Sequence, residues 1–152
     1  MAKLSRFRTD SRAIDEGEWI TLDEWDGIRI LTRGWNDDYA DAQARQQRQA
    51  ALGMGGNTDR LPSAIKRKIN VECLIRHVLR DVDNLTDDDG RKIEFAEFCD
   101  LLRNPDYADL VLACFAAASQ VGQRRSFDIE EAAVPLGTSS GGTLNGDASP
   151  AS

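Results

Sequence analysis

Residues 81–121, DVDNLTDDDGRKIEFAEFCDLLRNPDYADLVLACFAAASQV, hold an acidic turn, two helical segments and the most apolar run of the chain. Leu85-Thr86-Asp87-Asp88-Asp89-Gly90 reads as a turn, because aspartate tolerates left-handed backbone and Gly90 adopts it freely. Ile93 and Phe95 flank Glu94 in a short period-two pattern that can pair back across that turn. Helical spacing then takes over, with Phe95, Phe98, Cys99 and Leu102 at i, i+3, i+4 and i+7. Asn104-Pro105 ends this helix and opens the next. There Asn104 is the cap, Pro105 fits the first turn, and Asp106 suits the positive helix end.

The helix that follows is apolar on more than one face. Tyr107, Leu110, Val111, Cys114, Ala118 and Val121 form one stripe at helical spacing. Leu112 and Ala116 lie on the other side, beside Asp109 and Gln120. Such a helix is either buried on several sides or adhesive toward a partner. A plain core helix is the commoner outcome for an apolar stripe, and the partner surface is the sharper alternative. Leu112, Phe115 and Ala116 are the candidates for that surface.

Outward from this stretch, 152 residues fit one domain. Hydrophobic residues make up 41%, enough for a modest core, while 30% charged residues and a net charge of −7 describe an acidic, soluble chain. That balance argues against duplex nucleic acid as a partner, since such binding comes from neutralising phosphates. No apolar run approaches the ~20 residues of a membrane span. The N-terminus is basic without a following apolar segment, so it does not read as a secretory signal. Cys73, Cys99 and Cys114 are odd in number and fall within helical segments, which fits buried thiols in a reducing cytoplasm.

Residues 1–16 read as an extended arm. Trp19-Ile20-Thr21-Leu22 and Ile28-Arg29-Ile30-Leu31 flank a connection ending in Asp26-Gly27, a strong hairpin signal. A lone hairpin is marginal in water, so it must pack on helices, with Trp19 as the expected anchor. Asn36-Asp37-Asp38 opens a helix running to Leu52 and stopped by the glycines of Gly53-Met54-Gly55-Gly56. Its Ala, Gln and Arg content makes it peripheral. Pro62 starts a longer helix expected to reach Val82. One stripe there is Ala64, Val71, Ile75, Val78 and Val82; a second, Ile65, Ile69 and Cys73, is a further candidate partner surface. From Gly122 onward the composition is that of a disordered tail. The expected architecture is α+β and mostly helical. An N-terminal β-hairpin packs on a small helical bundle, with residues 1–16 as the arm, 17–121 as the domain and 122–152 as the tail.

Catalytic chemistry has no signature. Asp87-x-Asp89-Gly90 resembles the middle of a calcium loop, but placing Gly90 sixth puts Leu85 first and Ala96 twelfth, where oxygen ligands are required. A solvated turn fits better. Cys73 and His77 lie four apart on one helix face, yet two ligands do not make a zinc site and no second pair exists. No nucleophile elbow, phosphate loop or zinc-protease motif occurs, and the single histidine leaves one position for the commonest general base. No catalytic residue, cofactor or metal is expected.

A family resemblance carries the reading further. Val82-Asp83-Asn84-Leu85-Thr86-Asp87-Asp88-Asp89-Gly90-Arg91-Lys92-Ile93-Glu94-Phe95 is followed after a short helix by Leu101-Leu102-Arg103-Asn104-Pro105-Asp106 and an apolar helix. Ahead of it stand Asp15-Glu16-Gly17-Glu18-Trp19-Ile20 and Ile30-Leu31-Thr32-Arg33-Gly34-Trp35-Asn36-Asp37. In order and spacing these resemble the tail assembly chaperones of long-tailed bacteriophages. The likeness covers roughly residues 4–121 and rests on the acidic turn, the Leu-Leu-x-x-Pro step, the opening hairpin and its Arg-x-x-Asn exit. Ala96 departs from the capping Ser or Thr the family commonly has after the aromatic, a loss of ~1 kcal/mol. The resemblance implies a non-enzymatic protein of the host bacterial cytoplasm, absent from the mature virion. It would bind the tape measure protein, keep it soluble and help recruit the major tail protein. A homo-oligomer is compatible with this; nucleic acid and membrane are not among the implied partners. A structural virion component, such as a tail-completion or minor tail protein, and a small acidic calcium-binding module remain as alternatives.

Overall fold

The computed structural model describes residues 1–122. Of the expected tail, 122–152, only Gly122 is described: it is buried at the end of the compact unit, its N–H donating to Glu18 Oε1 at 3.1 Å, while residues 123–152 lie outside the described residues. A compact unit spans Asp10–Gly122; within Met1–Thr9 there is a single 3-10 turn, Leu4–Phe7. The fold is α+β and mostly helical, with a three-stranded antiparallel sheet.

The arm is not extended over residues 11–16. Ser11–Glu16 is a helix, α1, because Asp10 Oδ1 accepts from the backbone N–H groups of Arg12 (3.1 Å) and Ala13 (3.3 Å). This is the capping geometry that satisfies otherwise orphaned donors. Arg12 and Glu16 add an i,i+4 pair at 2.8 Å, and Ala13 is buried. Gly17 ends the helix at a φ of 91°, and a Cβ there would lie 3.2 Å from the Thr32 carbonyl oxygen. Glycine is required at this corner on both counts.

The hairpin forms as the alternation predicts. β1 (Glu18–Leu22) pairs with β2 (Ile28–Thr32), with Ile20 opposite Ile30 and Leu22 opposite Ile28. Asp26 and Gly27 both take positive φ, as the Asp-Gly signal requires. The anchor differs from expectation. Ile20, Leu22, Ile28 and Ile30 are buried, while Trp19 sits on the opposite, water-facing side with the Arg29 guanidinium 4.8 Å from its ring. Period two sends Ile20 inward, and the same register sends Trp19 out.

α2 (Asp37–Leu52) begins at Asn36, and α3 (Ser63–His77) follows Pro62. α3 stops five residues short of the expected Val82. Leu79–Asp83 is instead a third strand, β3, antiparallel to β2 with Ile30 opposite Val82. The helical spacing of Val71, Ile75, Val78 and Val82 is real but is overridden. The free edge of β2 needs hydrogen-bond partners, and residues 79–83 supply them. Asn84, at a φ of 59°, ends the strand, and its side-chain amide donates to the Gly27 carbonyl at 2.8 Å.

The acidic turn then closes through the Ile93 N–H, which donates to the Leu85 carbonyl at 2.9 Å, and a bridge between Thr86 and Lys92. α4 (Phe95–Leu102) starts after Glu94, so Ala96 lies inside the first turn rather than at the cap. Asn104 caps the Pro105–Tyr107 turn through the Asp106 N–H at 3.0 Å, and α5 (Ala108–Gln120) follows. α5 packs on β1 and β2, α4 on β3, and α2 on α3, so helices cover one face of the sheet. Phe98, Leu74, Val78, Ile20 and Ile30 occupy the core between them.

Candidate functional site

The core face of α5 is Ala113, Cys114, Ala117 and Ala118, all buried, with Leu110 and Val111 only half-buried. Tyr107, expected on that face, is exposed. Leu112 lies on the far side and is 57% exposed. Phe115 and Ala116 are half-buried beside it, reachable from Leu112 at i+3 and i+4.

Trp35, in the connection leaving β2, completes this surface. Its ring stacks on Phe115 with centroids 5.4 Å apart and meets Tyr39 edge-on at 5.1 Å. The indole N–H donates to Ser119 Oγ at 3.1 Å, and that hydroxyl donates to the Phe115 carbonyl at 2.9 Å. An indole clamped on two aromatic rings and one hydrogen bond presents a fixed apolar face, still 39% exposed. Trp35 and Tyr39 were not expected at the site. No local pattern places them there, because the contact joins residues 84 apart in sequence.

The connection is held rigid from beneath. Arg33 Nε donates to the Asp15 carbonyl (2.7 Å) and Nη1 to the His77 carbonyl (3.0 Å), while the guanidinium faces Asp38 at 3.3 Å. Asn36 accepts from the Tyr39 N–H (3.0 Å) and donates to the carbonyls of Gly34 (2.8 Å) and His77 (3.0 Å). These two side chains tie together the end of α1, the exit of β2, the start of α2 and the end of α3. Trp35 sits between them.

The second candidate stripe divides. Cys73 is fully buried and Ile69 nearly so, because α2 lies across α3 there; neither offers a free surface. Ile65 is half-buried and lines an open groove between the two helices.

Polar chemistry elsewhere is structural. Asp87 Oδ1 accepts from the N–H groups of Asp89 (3.0 Å) and Arg91 (2.9 Å), and Oδ2 from Arg91 Nε (3.1 Å). The Arg91 fork also binds Glu97 at 3.1 and 2.9 Å. The Arg91 backbone N–H leads in holding the Asp87 carboxyl below its usual range, and the Arg91 side chain does the same for Glu97. One guanidinium thus joins the turn to the start of α4 and offsets part of its negative charge. Burial pushes the thiols of Cys73, Cys99 and Cys114 up, away from the reactive thiolate. Among the described residues no cluster of three or more metal-ligating side chains occurs, and no helix is long and apolar enough to cross a membrane.

No family model, curated protein or solved structure matches the chain.

Proposed function

We propose that the protein is a binding module that acts through an apolar surface rather than through catalysis. More narrowly, we propose a tail assembly chaperone of a long-tailed bacteriophage, which holds the tape measure protein in soluble form and helps recruit the major tail protein in the host cytoplasm. The observation that carries the reading is the preorganised patch of Leu112, Phe115 and Ala116 on α5, extended by Trp35. Contiguous apolar surface rimmed by polar groups marks an interaction site. Rigid aromatics lose little entropy on binding an amphipathic helix. The acidic turn, the Leu-Leu-x-x-Pro step and the Arg-x-x-Asn exit supply the family resemblance, and the net charge of −7 favours a chaperone that keeps its client dispersed.

The test is co-expression with the cognate tape measure protein and recovery of the complex. Wild type should keep that protein soluble and co-purify with it, while Leu112→Asp and Trp35→Ala should fold and lose it. A tape measure protein equally insoluble with and without this chain refutes the proposal. Presence of the chain in purified virions identifies a structural tail component instead.

A further inference from the structure

We propose that the groove between α2 and α3 is a second docking site, for an acidic amphipathic helix of another protein. It is separate from the α5 patch and does not depend on the chaperone reading. The groove has a volume of about 690 Å³; half-buried Ala50 and Ile65 are its accessible apolar lining, beside the near-buried Ile69, and Arg45, Lys68 and Arg76 are its basic lining.

Charge points to the occupant. The chain carries −7 overall, yet the groove lining holds three cations, Arg45, Lys68 and Arg76, against one carboxylate. The single carboxylate lining the groove, Glu72, is already engaged by Arg103 at 2.7 Å, whose guanidinium also binds Asp100 at 2.9 Å. Arg45, Lys68 and Arg76 have no ion pair among the described residues, so the lining is left net positive against the sign of the molecule. Like charges held together beside apolar side chains are matched by a ligand with an apolar stripe edged by carboxylates. The α3 lining residues Ile65, Lys68, Ile69, Glu72 and Arg76 fall on one face over three helical turns, about 16 Å at 1.5 Å per residue. That length seats a helix of similar extent. Single-stranded nucleic acid fits less well, because the described lining contains no aromatic on which a base could stack.

Fluorescence anisotropy with the full chain tests this. The probe is a labelled helical peptide of about 14 residues with one leucine stripe flanked by glutamates. A twin carries lysine in place of each glutamate, and a labelled DNA duplex is the third probe. The acidic peptide should bind, its twin should not, and binding should weaken as ionic strength rises from about 0.05 to about 0.5 M. Arg45→Glu combined with Arg76→Glu should weaken binding at least about tenfold, with the melting temperature retained because both side chains are exposed. Lys68→Glu serves in their place if that pair fails to fold. Equal binding of both peptides, or no response to charge reversal, overturns the proposal. Displacement of the peptide by the duplex reassigns the groove to phosphate. Self-association abolished by the same reversals reassigns it to a second copy of this chain.

Discussion

Asn36 is the most informative single position for stability, because its side chain caps a helix and bridges two other segments at once. Asn36→Ala removes the acceptor for the Tyr39 N–H and the donors to the Gly34 and His77 carbonyls, three bonds of 2.8 to 3.0 Å. Loss of the cap costs ~1 kcal/mol. Each lost carbonyl bond adds about 0.5–1 kcal/mol net, toward the upper end at buried Gly34, whose carbonyl is left without that donor. The His77 carbonyl still receives Arg33, which limits the loss on that side. The sum is about 2–3 kcal/mol, or a fall in melting temperature of roughly 6–18 °C for a unit of this size. Asn36→Ser separates the contributions, since serine caps about as well but is too short to reach both carbonyls. Thermal unfolding followed by circular dichroism should therefore rank wild type above Asn36→Ser above Asn36→Ala. Equal stability of wild type and Asn36→Ser would show that the carbonyl bonds contribute nothing and would refute the view of this residue as a tertiary tie.

Leu112→Asp should lose no more than about 1.5 kcal/mol, because less than half of a side chain worth about 1.5–3 kcal/mol is buried there; Ala117→Asp should abolish cooperative melting by burying an unpaired carboxylate. Unfolding by Leu112→Asp would make that residue core and remove the docking face. Asp87 and Glu97 have folded-state pKa values lowered, so their contribution is present above the unfolded values near pH 4 and is lost as the pH falls through the folded ones. Melting temperature should drop on acidification below about pH 4, with a smaller drop in Arg91→Gln; an identical acid profile in that variant contradicts the assignment. Native protein at about pH 8 should react slowly with a thiol reagent and rapidly in urea, since all three cysteines are buried. Fast native labelling of any one would contradict the packing.

Local chemistry made part of this molecule legible in its sequence. Asp26-Gly27 and the alternation on either side specify the hairpin, because turn type and side-chain period act between near neighbours. Asn36 and Asn104 mark helix starts for the same reason, since a cap needs only the next few N–H groups, and Pro62 does so because its fixed φ suits a helix start. Leu112 was recognisable as lying off the core stripe of α5 from spacing alone. Asp10 gave an equally local signal for α1 that the basic composition around it obscured.

What only the tertiary structure decided are the features that depend on distant segments. Val78 and Val82 keep helical spacing with Val71 and Ile75, yet residues 79–83 form β3 because β2, some fifty residues earlier in the chain, presents an unpaired edge. Cys73 looked as accessible as Ile65 until α2 lay across it. Trp35 became part of the α5 surface through Phe115 and Ser119, and Arg33 and Asn36 became ties through the His77 carbonyl at the end of α3. A sequence states which groups need hydrogen bonds and which side chains avoid water. Which distant partner satisfies each of them is settled only when the chain packs.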